Sequence, residues 1–178
     1  MNINISNLDT TLEHWASIDG YLNYQVSWFG RVLNTKTGRI LKPGTSIHGY
    51  RYVILSKNGK PKIHYVHQLV AREWVPNPEE KRCVDHRDGD RTNNHFENLR
   101  YATDLENQWN KRRRKDGSSL YKGVSWDKRS GKWVVRIKTG GVNKNLGLFA
   151  NEREAGMAYN IGAVKYFKQY AKLNVFED

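Results

Sequence analysis

The stretch Val84–Lys111, V-D-H-R-D-G-D-R-T-N-N-H-F-E-N-L-R-Y-A-T-D-L-E-N-Q-W-N-K, holds the densest cluster of Asp, His and Asn in the chain. Local signals divide it. Lys81–His86 has the Cys-Val pair of a short strand, and Arg87–Asn94 is turn-rich with Asp88-Gly89 at its centre. Asn98–Tyr101 can return as the second strand of a hairpin, through a connection longer than a two-residue turn. Thr103–Glu106, T-D-L-E, is a capping box, and the helix it opens is expected from about Asp104 to Arg114. On that helix Asn107, Asn110 or Lys111, and Arg114 share one face, while Leu105 and Trp109 lie on another. Strand, loop, strand and helix make a compact unit in which Asp85, His86 and Asn107 can converge.

Such convergence suits phosphodiester hydrolysis. A magnesium ion takes oxygen ligands and keeps several waters, so the Asp85 carboxylate and the Asn107 amide oxygen would leave positions for phosphate oxygens. His86 is suited to take a proton from the attacking water. Asp85 and His86 are adjacent, and neighbours on a strand point to opposite faces, so the strand must bend or end there. The set V-D-H-x-D-G, N-N, E-N-L-R and T-x-x-E-N-x-x-N resembles the HNH nuclease motif of phage and intron-encoded homing endonucleases. The resemblance implies a ββα-metal fold, Asp85 and Asn107 as ligands of one divalent metal, and His86 as general base. It makes Asn98 the residue that orients the histidine or its loop. Mg2+ is the expected ion, with Mn2+ the alternative. Taken singly, Asp85, Asp88 and Asn98 are ordinary turn and cap residues; the ordered set is what points to a nuclease.

The rest of the chain reads as machinery for holding nucleic acid. Among 178 residues, Lys and Arg number 30 against 18 Asp and Glu, a net charge of +12, which calls for a polyanionic partner. Aromatic residues interleaved with the basic ones favour nucleic acid, here double-stranded DNA, over a membrane surface. The single cysteine, Cys83, excludes an intrachain disulfide and a cysteine-rich zinc site. No charged-then-apolar leader is seen, so the host-cell cytoplasm is the expected location. No obligatory protein partner is evident, and monomer and dimer stay open.

From Leu12 to Leu55 the chain reads as short strands at Tyr24–Ser27, Gly30–Leu33, Arg39–Lys42 and Tyr50–Leu55. Asn58-Gly59 marks a hairpin turn, with Lys62–Val66 pairing back. His67–Trp74 has the spacing of a short helix stopped by Pro76 and Pro78. Trp15, Y-Q-V-S-x-x-G-R-V, G-Y-x-x-V-x-L and V-H-Q-L-V-A resemble the nuclease-associated modular domain found upstream of HNH motifs, which implies an accessory element packed on the nuclease hairpin and touching DNA. His67 reads as a structural residue opening a helix, and His64 and His48 as exposed strand or loop residues.

The basic run Lys111-Arg112-Arg113-Arg114-Lys115 complements the end of a helix and suggests phosphate contact. Gly117-Ser118-Ser119 is a flexible joint. Beyond it Val124–Asp127, Trp133–Lys138 and Lys144–Phe149 read as three strands. Trp133, Val135 and Ile137 fall on a core face; Val134, Arg136 and Lys138 fall on a basic one. Asn151 caps a helix to about Phe167, with small residues that allow close approach to the sheet and with Tyr159 and Tyr166 at its edges. Y-K-G-V, G-K-W-V-V-R-I, L-G-L-F, A-x-x-A-Y-N and A-K-L-N-V resemble the Apetala-type (ethylene-response-factor) DNA-binding domain. That resemblance points to Lys122, Ser125, Arg129, Arg136, Lys138, Asn143 and Asn145 as DNA-facing, with Arg136 the candidate for a guanine edge. Trp133 and Trp126 read as core.

The expected architecture is α+β. It comprises a β-rich module at 12–66, an HNH ββα-metal unit at 67–115, a linker at 116–120 and an Apetala-type domain at 121–175. The expected activity is metal-dependent, site-specific DNA cleavage, one strand nicked per monomer. The alternatives are a non-catalytic sequence-specific DNA-binding regulator and a low-specificity phage nuclease.

Overall fold

A computed structural model describes residues 12–111, 113 and 116–176. It is a mixed α+β structure of small antiparallel sheets and few helices, and the chain divides into two compact units, 1–104 and 105–178. Among the described residues no helix is long and apolar enough to cross a membrane.

The first unit opens with a four-stranded meander of β1 (Trp15–Ser17), β2 (Tyr24–Ser27), β3 (Val32–Asn34) and β4 (Arg39–Ile40). A second sheet joins β5 (Gly44–Thr45), β6 (Arg51–Lys57) and β7 (Lys60–Tyr65). The expected hairpin turn is present between β6 and β7. Asn58 and Gly59 have φ of 53° and 75°, the positive values that a two-residue turn matching the twist of its strands demands. Helix α1 (Val66–Trp74) follows directly, and β8 (Cys83–His86) then pairs with β9 (Leu99–Ala102).

One buried cluster draws on this whole unit, from Ala16 through Val26, Trp28, Leu55 and Val70 to Leu99. Trp28 is its centre. Its ring stacks on Phe96 at 5.2 Å between centroids and lies 5.9 Å from Trp74, whose indole N–H donates to the Val26 carbonyl at 3.3 Å. Gly30, at φ +85°, approaches Asn94 so closely that a Cβ there would stand 2.9 Å from the Asn94 Cβ. The loop ahead of β9 is thereby seated against the meander.

In the second unit, helix α2 (Asp104–Trp109) reaches Trp109, several residues short of the expected Arg114. The Lys111 amide closes its end with a bond to Gln108 O at 3.2 Å. Strands β10 (Val124–Asp127), β11 (Lys132–Thr139) and β12 (Val142–Phe149) form the antiparallel sheet, and α3 (Glu152–Phe167) packs on it. The Asn151 carboxamide caps α3 as expected, accepting from the Arg153 and Glu154 amides at 2.8 and 3.2 Å. Gly162 lets the helix approach the sheet: a Cβ there would lie 2.3 Å from Leu146 Cδ1. Tyr159, expected at an edge, is buried in the centre of this core.

Two expectations about the sheet faces need correction. Val134 shares a face with Arg136 yet is only 3% exposed, and Leu148 is its direct cross-strand partner, so an apolar spot interrupts the basic face. Trp126 is 41% exposed. It pairs with Trp133 across β10 and β11, ring against ring at 5.0 Å, but β10 is an edge strand and leaves it half uncovered.

Candidate active site

Asp85 and His86 are the last two residues of β8, paired in register with Arg100 and Leu99 of β9. Both are buried, at 5% and 4% exposure. The strand ends at His86, and the loop turns back at once through Gly89, whose amide donates to His86 O at 2.9 Å. This is the strand end that adjacent Asp and His side chains require if they are to serve one centre.

Arg100, directly opposite Asp85, donates to its Oδ2 from Nε at 2.8 Å and from Nη2 at 2.6 Å. A buried carboxylate needs such a partner, because desolvation penalises an isolated charge. His86 Nε2 lies 3.2 Å from Asn94 Oδ1. The amide oxygen can only accept, so Nε2 carries the proton, and in the neutral ring the basic lone pair is on Nδ1. Burial pushes the His86 pKa below its ordinary value, opposed by the bond to Asn94 and by the carboxylates of Asp88, Asp85 and Asp90.

Aromatic rings back the histidine. His67 of α1 lies 5.2 Å from His86 between ring centroids, and Tyr50 lies 6.0 Å from it. Arg91 reaches over Tyr50, its guanidinium carbon 4.8 Å from the ring centre, and donates to His48 O at 2.6 Å. His67 is buried, and burial, then the neighbouring His86, lowers its pKa to about 4. His64, expected to be exposed, is half-buried and bonded to the Tyr21 hydroxyl at 2.8 Å; His48 is exposed as expected.

Asn98 fastens the loop rather than the histidine. Its amide donates to Asp88 Oδ1 at 2.9 Å and to Asn93 O at 2.8 Å, and its Oδ1 accepts from the Asp88 N–H at 3.1 Å. Asp88 also accepts from the Asp90 amide at 2.7 Å and the Asn93 side chain at 2.8 Å. Burial works to raise the Asp88 pKa, but these bonds outweigh it and hold the carboxyl below its ordinary range.

Asn107 stands, partly buried, on α2 in the second unit. Of the basic run, Lys111 is exposed and Arg113 partly buried, while Arg112 and Arg114 lie outside the described residues. In the sheet, register puts Ser125, Arg136, Lys138, Asn143 and Asn145 on one face: Arg136 is opposite Asn145, Lys138 opposite Asn143, and Ser125 opposite Val134. Arg129 is exposed in the β10–β11 turn. Lys122 is turned elsewhere, its ammonium donating to the Trp109 carbonyl at 2.5 Å.

The sequence reading passed over two neighbours of the site, Arg100 and Asn94, and took a third, His67, only as a structural residue of α1. Arg100 and Asn94 sit inside the quoted E-N-L-R and N-N elements, so the signal was in hand. Their partners were not, because a hairpin with an irregular loop does not reveal its register.

The HNH endonuclease family model matches residues 64–109, and the NUMOD4 motif matches residues 13–56. Asp85 and His86 lie within the segment that the HNH endonuclease model matches. DNA endonuclease I-HmuI of Bacillus phage SP01 is 43% identical over 98 residues, which are 53% of this chain and 56% of that protein. The chain thus spans little more than half the length of this relative. A solved structure of DNA binding and cleavage by the HNH homing endonuclease I-HmuI aligns at 43% identity with a TM-score of 0.49, covering 51% of this chain and 52% of that one. The AP2-like ethylene-responsive transcription factor AIL7 of Arabidopsis thaliana is 44% identical over 52 residues, 28% of this chain and 10% of that protein.

Proposed function

We propose that this chain is a site-specific DNA endonuclease of the HNH homing type, dependent on one divalent metal ion. The observation that carries the reading is the buried Asp85–His86 pair at the end of β8, with His86 Nε2 fixed by Asn94, inside the segment that matches the HNH family. His86 would accept the proton of the attacking water at Nδ1, held in place by the Asn94 bond and the rings of His67 and Tyr50. Asn98 would keep the 88–98 loop closed around it.

Among the described residues no group of three or more His, Cys, Asp or Glu is placed to hold a metal. A single carboxylate with an amide oxygen fits a hard ion that retains waters and takes phosphate oxygens, so Asp85 and Asn107 would hold Mg2+, with Mn2+ as alternative. The ion would supply polarisation of the phosphoryl group and stabilisation of the leaving oxygen. Lys111, Arg112, Arg113 and Arg114 would contact phosphate, and the Arg136 face of the second sheet would hold double-stranded DNA. With one such site per chain, a monomer would nick one strand. The expected location is the host cytoplasm.

Supercoiled DNA of the encoding genome, incubated with Mg2+ or with chelator, tests this. Wild type should break it at a recurrent position; His86→Ala should bind with unchanged affinity and leave it intact, whereas loss of binding along with cleavage would make His86 structural. The Arg100 bonds to Asp85 favour one rival, a non-catalytic DNA-binding regulator in which Asp85 only supports the hairpin. Specific binding without breaks under every divalent metal would establish that rival. Breaks everywhere would point to a low-specificity nuclease.

A further inference from the structure

The outer face of the second sheet carries an apolar row that phosphate contact does not call for. Across its strands Arg136 stands opposite Asn145, and Lys138 opposite Asn143. The neighbouring row, Ser125, Val134 and Leu148, breaks this polar series with two aliphatic side chains. Val134 is 3% exposed and its cross-strand partner Leu148 is 47% exposed, so the row presents an apolar knob on a filled base. The core does not account for Leu148. Helix α3 packs on the other face, where Val135 and Ile137 join Ala155 and Tyr159, and Leu148 has no part in that cluster.

What can meet Leu148 follows from the charges around it and from the chemistry of the DNA groove. Lys132 and Arg136 flank Val134 along β11, two residues to either side, which favours a polyanion. The nearby carboxylate, Asp127, is engaged in its own turn by the Ser130 hydroxyl at 2.7 Å and the Arg129 amide at 3.2 Å. The major groove admits a β-ribbon, and the prominent apolar group on its floor is the C5-methyl of thymine. A leucine pressed on a base nitrogen, carbonyl or amino group strips it of water and returns no hydrogen bond, which weakens binding. Pressed on a methyl group, it removes apolar surface from water on both sides.

We propose that Leu148, backed by Val134, seats the C5-methyl of a thymine and so reads an A·T pair close to the base pair that Arg136 contacts. The proposal rests on the reading of this face as the one that holds double-stranded DNA. Rows two residues apart on a strand are separated by about 7 Å, or roughly two base-pair steps when the strands lie along the groove. The contact is apolar, so its contribution should persist in salt that weakens binding as a whole.

The test is binding of the full chain to its preferred duplex, selected from random sequence and measured in chelator so that no strand is cut. Deoxyuridine replaces each thymidine in turn, which keeps every hydrogen-bonding group of the A·T pair and removes only the methyl. One replacement, within about three base pairs of the position where Arg136→Ala relaxes sequence preference, should weaken wild type about three- to fivefold, as loss of one buried methyl group implies. The same ratio should be found at low and high salt. In Leu148→Ala that replacement should make no difference, while Leu148→Met, which keeps an apolar tip, should retain the loss. Unchanged affinity of Leu148→Ala for random DNA shows that the fold is kept. A loss that persists in Leu148→Ala would mean that the methyl acts through the shape of the DNA, and would overturn the proposal. So would a duplex in which no replacement matters although Arg136→Ala weakens its binding. If neither Arg136→Ala nor any replacement alters binding, the sheet is not the DNA face, and the underlying reading falls with the proposal.

Discussion

Asp85 and Arg100 show how much rests on single cross-strand partners. Removing the guanidinium takes two charge-assisted bonds from a carboxylate that stays buried, a loss of about 3–5 kcal/mol. Arg100→Leu should therefore lower the urea midpoint sharply, and a midpoint within error of wild type would mean that Asp85 is held by other bonds. His67 gives a pH effect with a definite sign. Folded, it titrates near 4; unfolded, near 6.5. Between those values the unfolded chain binds the extra proton, so stability is full above pH 6.5 and falls on acidification, by up to about 3 kcal/mol at pH 4. His86, also lowered, adds in the same direction. Denaturation at pH 7.5 and pH 5 should show the loss in wild type and a smaller one in His67→Phe; identical losses would exclude His67 as a source. The motif spacing made Asp85, His86 and Asn98 legible in the sequence. Arg100 as the partner of Asp85 and the approach of His67 to His86 were not, since they depend on strand register and on where α1 docks, and neither is a local property.

Elements with their own end signals were readable, and those without were not. Asn151 announced α3, and Asn58-Gly59 announced the hairpin of β6 and β7. Asn151→Ala should cost about 1 kcal/mol, because it leaves the Arg153 and Glu154 amides without their acceptor. Thermal melts would check this, and an unchanged melting temperature would show that water replaces the cap. Strands β1 and β5, of three and two residues, are too short to show alternation. The α2 prediction overran because a capping box signals only a start. Five consecutive basic residues from Lys111 set like charges at helical neighbours, which opposes continuing the helix. Val134 was assigned to the basic face by alternation alone, which fixes a side but not what covers it.

At the scale of the molecule, the net charge of +12 predicts a steep salt dependence of DNA binding, with a slope of about −0.9 in log affinity against log salt for each phosphate neutralised. Arg136→Ala should weaken the preferred sequence by about 1–3 kcal/mol while affecting random DNA less. Competition binding at two salt concentrations measures both, and an equal loss on either DNA would make Arg136 a phosphate contact. Charge and composition made this scale legible without any structure. The continuity of the first core could not be read that way, since it joins residues far apart in sequence. Trp28, from the segment matching NUMOD4, stacks on Phe96 from the segment matching the HNH family. A graft of residues 64–109 into a foreign scaffold would carry Asp85 and His86 but leave behind the indole on which Phe96 stacks. The portable cutting part is therefore the pair of segments inherited together, and crossovers that reshuffle such proteins would be tolerated outside that pair rather than between its members.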